Sequence, residues 1–111
     1  MAENSWHAFD DGTTLGQKGS ENGVTMRDEE HPLGARITLE RGCHAAPFAI
    51  TCGIYGCMLH TRFFSGESEA CSEYDLMRSA LSSLLAKASE SGEESGKVII
   101  EGVSAFVEAY P

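Results

Sequence analysis

The sequence predicts an α+β domain: a four-stranded antiparallel β-meander with two helices, a long one over about 68–90 and a C-terminal one over about 97–110, packed on one face. Three observations lead there. Between Val24 and Phe64 apolar residues recur at every second position, in runs separated by turn residues. Between 68 and 90 the spacing changes to that of a helix. Four strands at about 4.8 Å each then make a layer nearly 20 Å wide, which one helix of about 10 Å does not cover.

The first 23 residues precede this pattern. The segment DDGTTLGQKGSENG, residues 10–23, is rich in glycine and invites comparison with a phosphate-binding loop. Such a loop needs its Gly-Lys pair four residues after Gly12, where the chain instead has Gln17 and Lys18, and no apolar strand comes before it. It is read as a flexible or turn-rich segment of a single domain, 1–111. Trp6 and Phe9 just upstream read as anchors holding the N-terminal segment to the core.

In the first hairpin Val24, Met26 and Asp28 alternate with Thr25, Arg27 and Glu29. After the turn His31-Pro32-Leu33-Gly34, Ile37 and Leu39 alternate with Arg36, Thr38 and Glu40. Setting Glu30 opposite Ala35 places Met26 across from Leu39 on the core face and Glu29 across from Arg36 on the other, so register and charge agree. In the second hairpin, FAITCGIYGCMLHTRFF, a two-residue turn at Tyr55-Gly56 pairs Ile54 with Cys57, Cys52 with Leu59, Ile50 with Thr61 and Phe48 with Phe63 on the core face. Tyrosine suits the first position of a primed turn poorly, and a wider loop would slip this register.

The long helix carries Tyr74, Met77, Leu81, Leu84 and Ala88 at spacings of three and four, with Ser65 or Ser68 available to cap it. SGEESG, residues 91–96, stops it. The tail VIIEGVSAFVEAYP fits either period. As a helix it aligns Ile99, Val103, Phe106 and Tyr110 at a cost of about 1 kcal/mol for Gly102, and the width of the sheet decides for helix.

Chemistry is sparse. Cys57-x2-His60 is the one close pair with metal-ligand spacing, and residues three apart in a strand point to opposite faces, so neither a metal nor a cofactor is expected. Cys52 and Cys57 are diagonal in the derived register, with Cβ atoms about 7 Å apart where a disulfide needs about 3.8 Å. Cys43 beside His44 is the one thiol worth testing for activation, although no third group is evident to orient the base. The acidic runs 28–30 and 93–94 do not fix two carboxylates across a pocket, so no catalytic residue is assigned.

What remains is the outer sheet face. The derived registers align Arg27, Thr38, Thr51 and His60 in one row, with Arg62 in the next. These five residues form a candidate site for a phosphate- or carboxylate-bearing ligand, since arginine donates two parallel hydrogen bonds to one anion and the hydroxyls add neutral donors.

The balance of 17 acids against 8 bases, a net charge of −9, disfavours nucleic acid and anionic membranes as partners. No apolar run approaches the roughly 20 residues of a membrane helix. The polar start MAENSWHAFDDG lacks the pattern of a secretory signal, and the chain is read as cytoplasmic, with reduced thiols. The resulting expectation is a small non-enzymatic protein that binds a protein partner, or itself as a homodimer, through an open sheet face or edge. Two alternatives stand beside it: a binder of small anions, or an enzyme acting on them, that uses Arg27, His60 and Arg62, and an inhibitor or immunity-type protein for a basic partner.

Overall fold

In the computed structural model, which describes residues 5–111, a meander sheet is backed by two helices, as the periodicities require. Residues 1–4, part of the polar start, lie outside the described residues. The strands are β1 (His7–Ala8), β2 (Val24–His31), β3 (Ala35–Arg41), β4 (Phe48–Ile54) and β5 (Met58–Phe64), antiparallel in the order β1-β2-β3-β4-β5. The sheet thus has five strands, not four. The extra one is two residues long, too short to display a period. Helix α1 spans Glu67–Ser89; a 3₁₀ turn over Gly92–Glu94 leads into α2, Ser95–Ala109. No helix among the described residues is long and apolar enough to cross a membrane.

Ile37 and Leu39 of β3 and Ile50 and Cys52 of β4 form the sheet side of the core; Tyr74, Met77, Leu81 and Leu85 of α1 close it. At about 25 cal/mol per Å² of apolar surface removed from water, this layer contact is the main favourable contribution to folding. Helix α2 lies against α1 and reaches the sheet at β5, where buried Phe106 meets the His60 ring at 6.5 Å between centroids. Gly102 permits the helix contact, because a Cβ there would lie 2.0 Å from Leu84 Cδ1. Neither serine caps α1: its N-cap is Gly66, without a side-chain bond.

Strand register differs from the expected one in two of three pairings. The β3–β4 register is as derived, with Arg36 opposite Gly53 and Thr38 opposite Thr51. Between β2 and β3 the connection is the three-residue loop Pro32-Leu33-Gly34, closed by Gly34 N–H to the His31 carbonyl at 2.9 Å, with Gly34 at φ 105°. His31 therefore pairs with Ala35, Glu29 with Ile37 and Arg27 with Leu39, until a bulge at Met26 restores the derived pairing of Thr25 with Glu40.

Between β4 and β5 the loop is Tyr55-Gly56-Cys57, so that Ile54 pairs with Met58, Cys52 with His60, Thr51 with Thr61 and Phe48 with Phe64. Gly56, at φ 79°, takes the left-handed second central position of the turn closed by Cys57 N–H to the Ile54 carbonyl at 2.9 Å. The slip of one residue turns all of β5 over. Leu59, expected in the core, is 82% exposed on the outer face, and Phe64 rather than Phe63 is buried.

Candidate functional site

The face of the sheet away from the helices is partly roofed by residues 9–23, which run across it as a strap after residues 5–8 pass along the β2 edge. Trp6 fixes one end: it is buried, its indole Nε1–H donates to Ser82 Oγ at 2.6 Å, and its ring meets His31 edge-on. Phe9 lies under the Arg36 guanidinium, 3.5 Å from centroid to Cζ. Successive left-handed residues, Asp10 and Asp11, then turn the chain, a conformation aspartate tolerates better than most residues. Further on, Gly16 N–H donates to the Thr25 carbonyl and Thr25 N–H to that of Gln17. The Glu40 carboxylate accepts the N–H groups of Glu21 and Gly23 at 3.1 Å each, where Gly19 leaves room that a Cβ would fill.

Asp28 is the fastener at the centre. It is 3% exposed, yet it accepts from Arg36 Nε at 2.9 Å and Nη2 at 2.7 Å, from Thr38 Oγ1 at 3.1 Å and from Thr14 Oγ1 of the strap at 2.8 Å. A buried carboxylate is tolerable only with such a set of donors. Arg36 is raised above its ordinary pKa chiefly by the bond to Asp28.

Beside the strap the face opens into a cleft of about 640 Å³. Its floor is the row Thr38, Thr51, Thr61 together with Gly53, its far wall Tyr55 and Leu59. Thr51 and Thr61 place their hydroxyls 3.3 Å apart. Tyr55 is held upright by donating to Glu30 at 2.6 Å; burial and that carboxylate push its pKa up to about 12.

Of the five residues expected to share this face, Thr38 and Thr51 do. Arg27, His60 and Arg62 do not, because the two register slips place them on the helix side, where each is engaged. Arg27 bonds Asp75 at 3.1 Å and stacks on Tyr74 at 4.0 Å. Arg62 bonds Glu73 at 2.8 Å. His60 donates from Nε2 to the Tyr110 carbonyl at 2.6 Å, which fastens the end of α2 to β5. The expected cluster is therefore not assembled, and the cations lining the cleft are Arg36, already matched by Asp28, and Lys18 of the strap. Sequence reasoning missed Asp28, Arg36 and Thr61 as neighbours; the mid-strand Gly53 was the available signal of an open floor.

Among the described residues no group of three metal-ligating side chains is arranged to hold an ion. Burial, reinforced by Glu40 and Glu21, pushes the Cys43 thiol up, the opposite of what a nucleophile needs, and burial takes Cys52 up to about 12.

The two sheet edges differ. β1 pairs with Glu29 and Glu30, and residues 16–18 bond to the Val24–Thr25 end, so the strap closes the β2 edge at both ends. β5 has no strand on its side away from β4 among the described residues, and its outer row is Leu59, Thr61 and Phe63, with Phe63 48% exposed. No family model, curated protein or solved structure matches the chain.

Proposed function

We propose that the protein is a non-enzymatic interaction module that works by strand addition, with an extended polypeptide segment continuing the sheet at β5 and directing alternate side chains into the cleft. The observation that carries this reading is the contrast between a β2 edge closed by the strap and a β5 edge left open beside exposed Leu59 and Phe63. Edge strands are ordinarily blunted by charge, proline, a bulge or a covering loop. The outer row of β5 has none of these. In this mode main-chain hydrogen bonds supply affinity and alternate side chains supply specificity.

The proposal includes a cytoplasmic location, in which the four free cysteines would stay reduced. Less supports the anion-binding alternative, since Arg27 and Arg62 face α1 and already bind carboxylates, and Arg36 is paired with Asp28. An inhibitor of a basic enzyme would need exposed acids around an apolar anchor, whereas β4 and β5 contain no acidic residue.

The test is an NMR titration of the ¹⁵N-labelled protein with a synthetic peptide of residues 58–64, flanked by lysines for solubility. Shifts are expected at the amides of Leu59, Thr61 and Phe63 and at Gly53, with none from a scrambled peptide. Absence of shifts at millimolar peptide, or equal shifts with the scrambled sequence, contradicts the reading.

A further inference from the structure

We infer that the segment added at β5 is the β5 of a second copy of this chain, the two strands running antiparallel about a two-fold axis through Thr61. This rests on the strand-addition reading and names its partner. The first support is the phase of the edge. In an antiparallel ladder, residue pairs alternate between a hydrogen-bonded type and a closer type whose side chains approach each other. The Thr51 and Thr61 hydroxyls, 3.3 Å apart in directly opposed residues, mark the closer type. Cys57 N–H bonding to the Ile54 carbonyl marks the Ile54–Met58 end as the hydrogen-bonded type, which reaches the same phase from the turn. The backbone N–H and C=O groups of Leu59, Thr61 and Phe63 therefore point away from β4, into the open edge.

The second support is self-complementarity. An axis through Thr61 overlaps the whole strand, Met58–Phe64, with its copy. It sets Leu59 opposite Phe63 of the other copy, twice, and Thr61 opposite Thr61. The two most exposed apolar side chains of β5 thus cover each other on the outer face. An axis through Leu59 or Phe63 would leave four of the seven residues unpaired.

The third is charge. Two chains of net charge −9 repel, and neither β4 nor β5 carries an acid, while β2 carries Asp28, Glu29 and Glu30. On the helix side His60 would face Arg62 of the other copy, whose charge is already taken by Glu73 at 2.8 Å. A strand of this length, about 23 Å at 3.3 Å per residue, with two Leu–Phe contacts buries less than the roughly 1,200–2,000 Å² of a stable interface. The dimer therefore dissociates at low concentration.

The experiment is a charge exchange across the axis. Leu59→Lys and Phe63→Glu change exposed side chains, so both variants keep the fold, as circular dichroism will report. Each alone should stay monomeric where the wild type, followed by sedimentation equilibrium from micromolar to millimolar, rises toward twice the monomer mass. Mixed, they should associate at least tenfold more tightly than either alone. In the mixed pair the introduced lysine faces the introduced glutamate, and the unchanged Phe63 faces the unchanged Leu59. A wild type that stays monomeric throughout, or a mixture no tighter than its components, overturns the inference. Should the wild type stay monomeric while the 58–64 peptide still shifts the β5 amides, strand addition stands and only the second copy falls; silence in both removes both.

Discussion

Asp28→Asn removes one charge and almost no volume, at the point where the strap meets the sheet. The carboxylate accepts four hydrogen bonds: two from Arg36, one from Thr38 and one from Thr14. An amide accepts at one atom only, and its NH₂ must face a donor, so at least two of the four are lost or become repulsive. Hydrogen bonds to a charged group are worth about 1.5–3 kcal/mol each where buried. The Arg36 side chain is 37% exposed and recovers hydration, which brings its share nearer the roughly 0–1 kcal/mol of a solvated pair. Thr38 bonds one carboxylate oxygen and Thr14 the other, so the amide leaves one of the two hydroxyls without its acceptor, at about 1 kcal/mol. The expected loss is about 1–2 kcal/mol, or about 0.5–1.5 M in the urea midpoint for a domain of this size. Urea titration followed by far-UV circular dichroism and by fluorescence measures it, since Trp6, the single tryptophan, anchors the start of the strap in the core. Both probes should shift together. A loss below about 0.5 kcal/mol, or fluorescence that changes well before the backbone signal in the wild type, would refute the strap as part of the cooperative fold.

Leu81→Ala should cost about 2–5 kcal/mol in the same titration, and Leu59→Ala less than about 0.5 kcal/mol, because Leu81 is fully buried and Leu59 lies on the outer face. Gly53→Ala should cost about 1–3 kcal/mol, since its Cβ would lie 2.9 Å from the Met58 backbone carbonyl, which cannot swing aside as a side chain can. Stability should fall as the solution is made alkaline. The Cys52 thiol ionises at about 12 when folded and at its ordinary value of 9.0 when unfolded, so its contribution is complete below pH 9 and is lost between 9 and 12. At pH 12 this amounts to about 4 kcal/mol, and Cys52→Ala should reduce that slope in pH-dependent urea titrations, the remainder coming from Tyr55 and Tyr74, whose pKa values are also raised.

The fold was legible where periodicity or packing demand had one solution. The 23 residues of α1 show their stripe directly, and α2 followed from the width of a sheet that one helix cannot cover. The β3–β4 register followed from aligned apolar residues on both strands. β5 was ambiguous because both of its faces carry two apolar residues: Met58 and Phe64 on one, Leu59 and Phe63 on the other. What settles it is Gly56 in the turn, together with partners distant in sequence: Glu73 for Arg62 and the Tyr110 carbonyl for His60. The same holds for β2, where Glu29 is drawn inward by the Tyr74 hydroxyl at 2.8 Å and Arg78 at 2.8 Å. Two slips of one residue were enough to move three of five candidate residues to the other face. The strap left no periodic trace, because its fixings are single contacts at Trp6, Phe9 and Thr14.

The most direct test of β5 as the working edge is amide hydrogen exchange along that strand as a function of protein concentration. At low micromolar concentration the amides of Leu59, Thr61 and Phe63, facing open solvent, should exchange far faster than those of His60 and Arg62, which bond to β4. Toward millimolar protein the first three should slow at least tenfold while the others hold their rates. Exchange at Leu59, Thr61 and Phe63 that is already slow when dilute, or that stays fast at every concentration and with the 58–64 peptide present, would contradict the account.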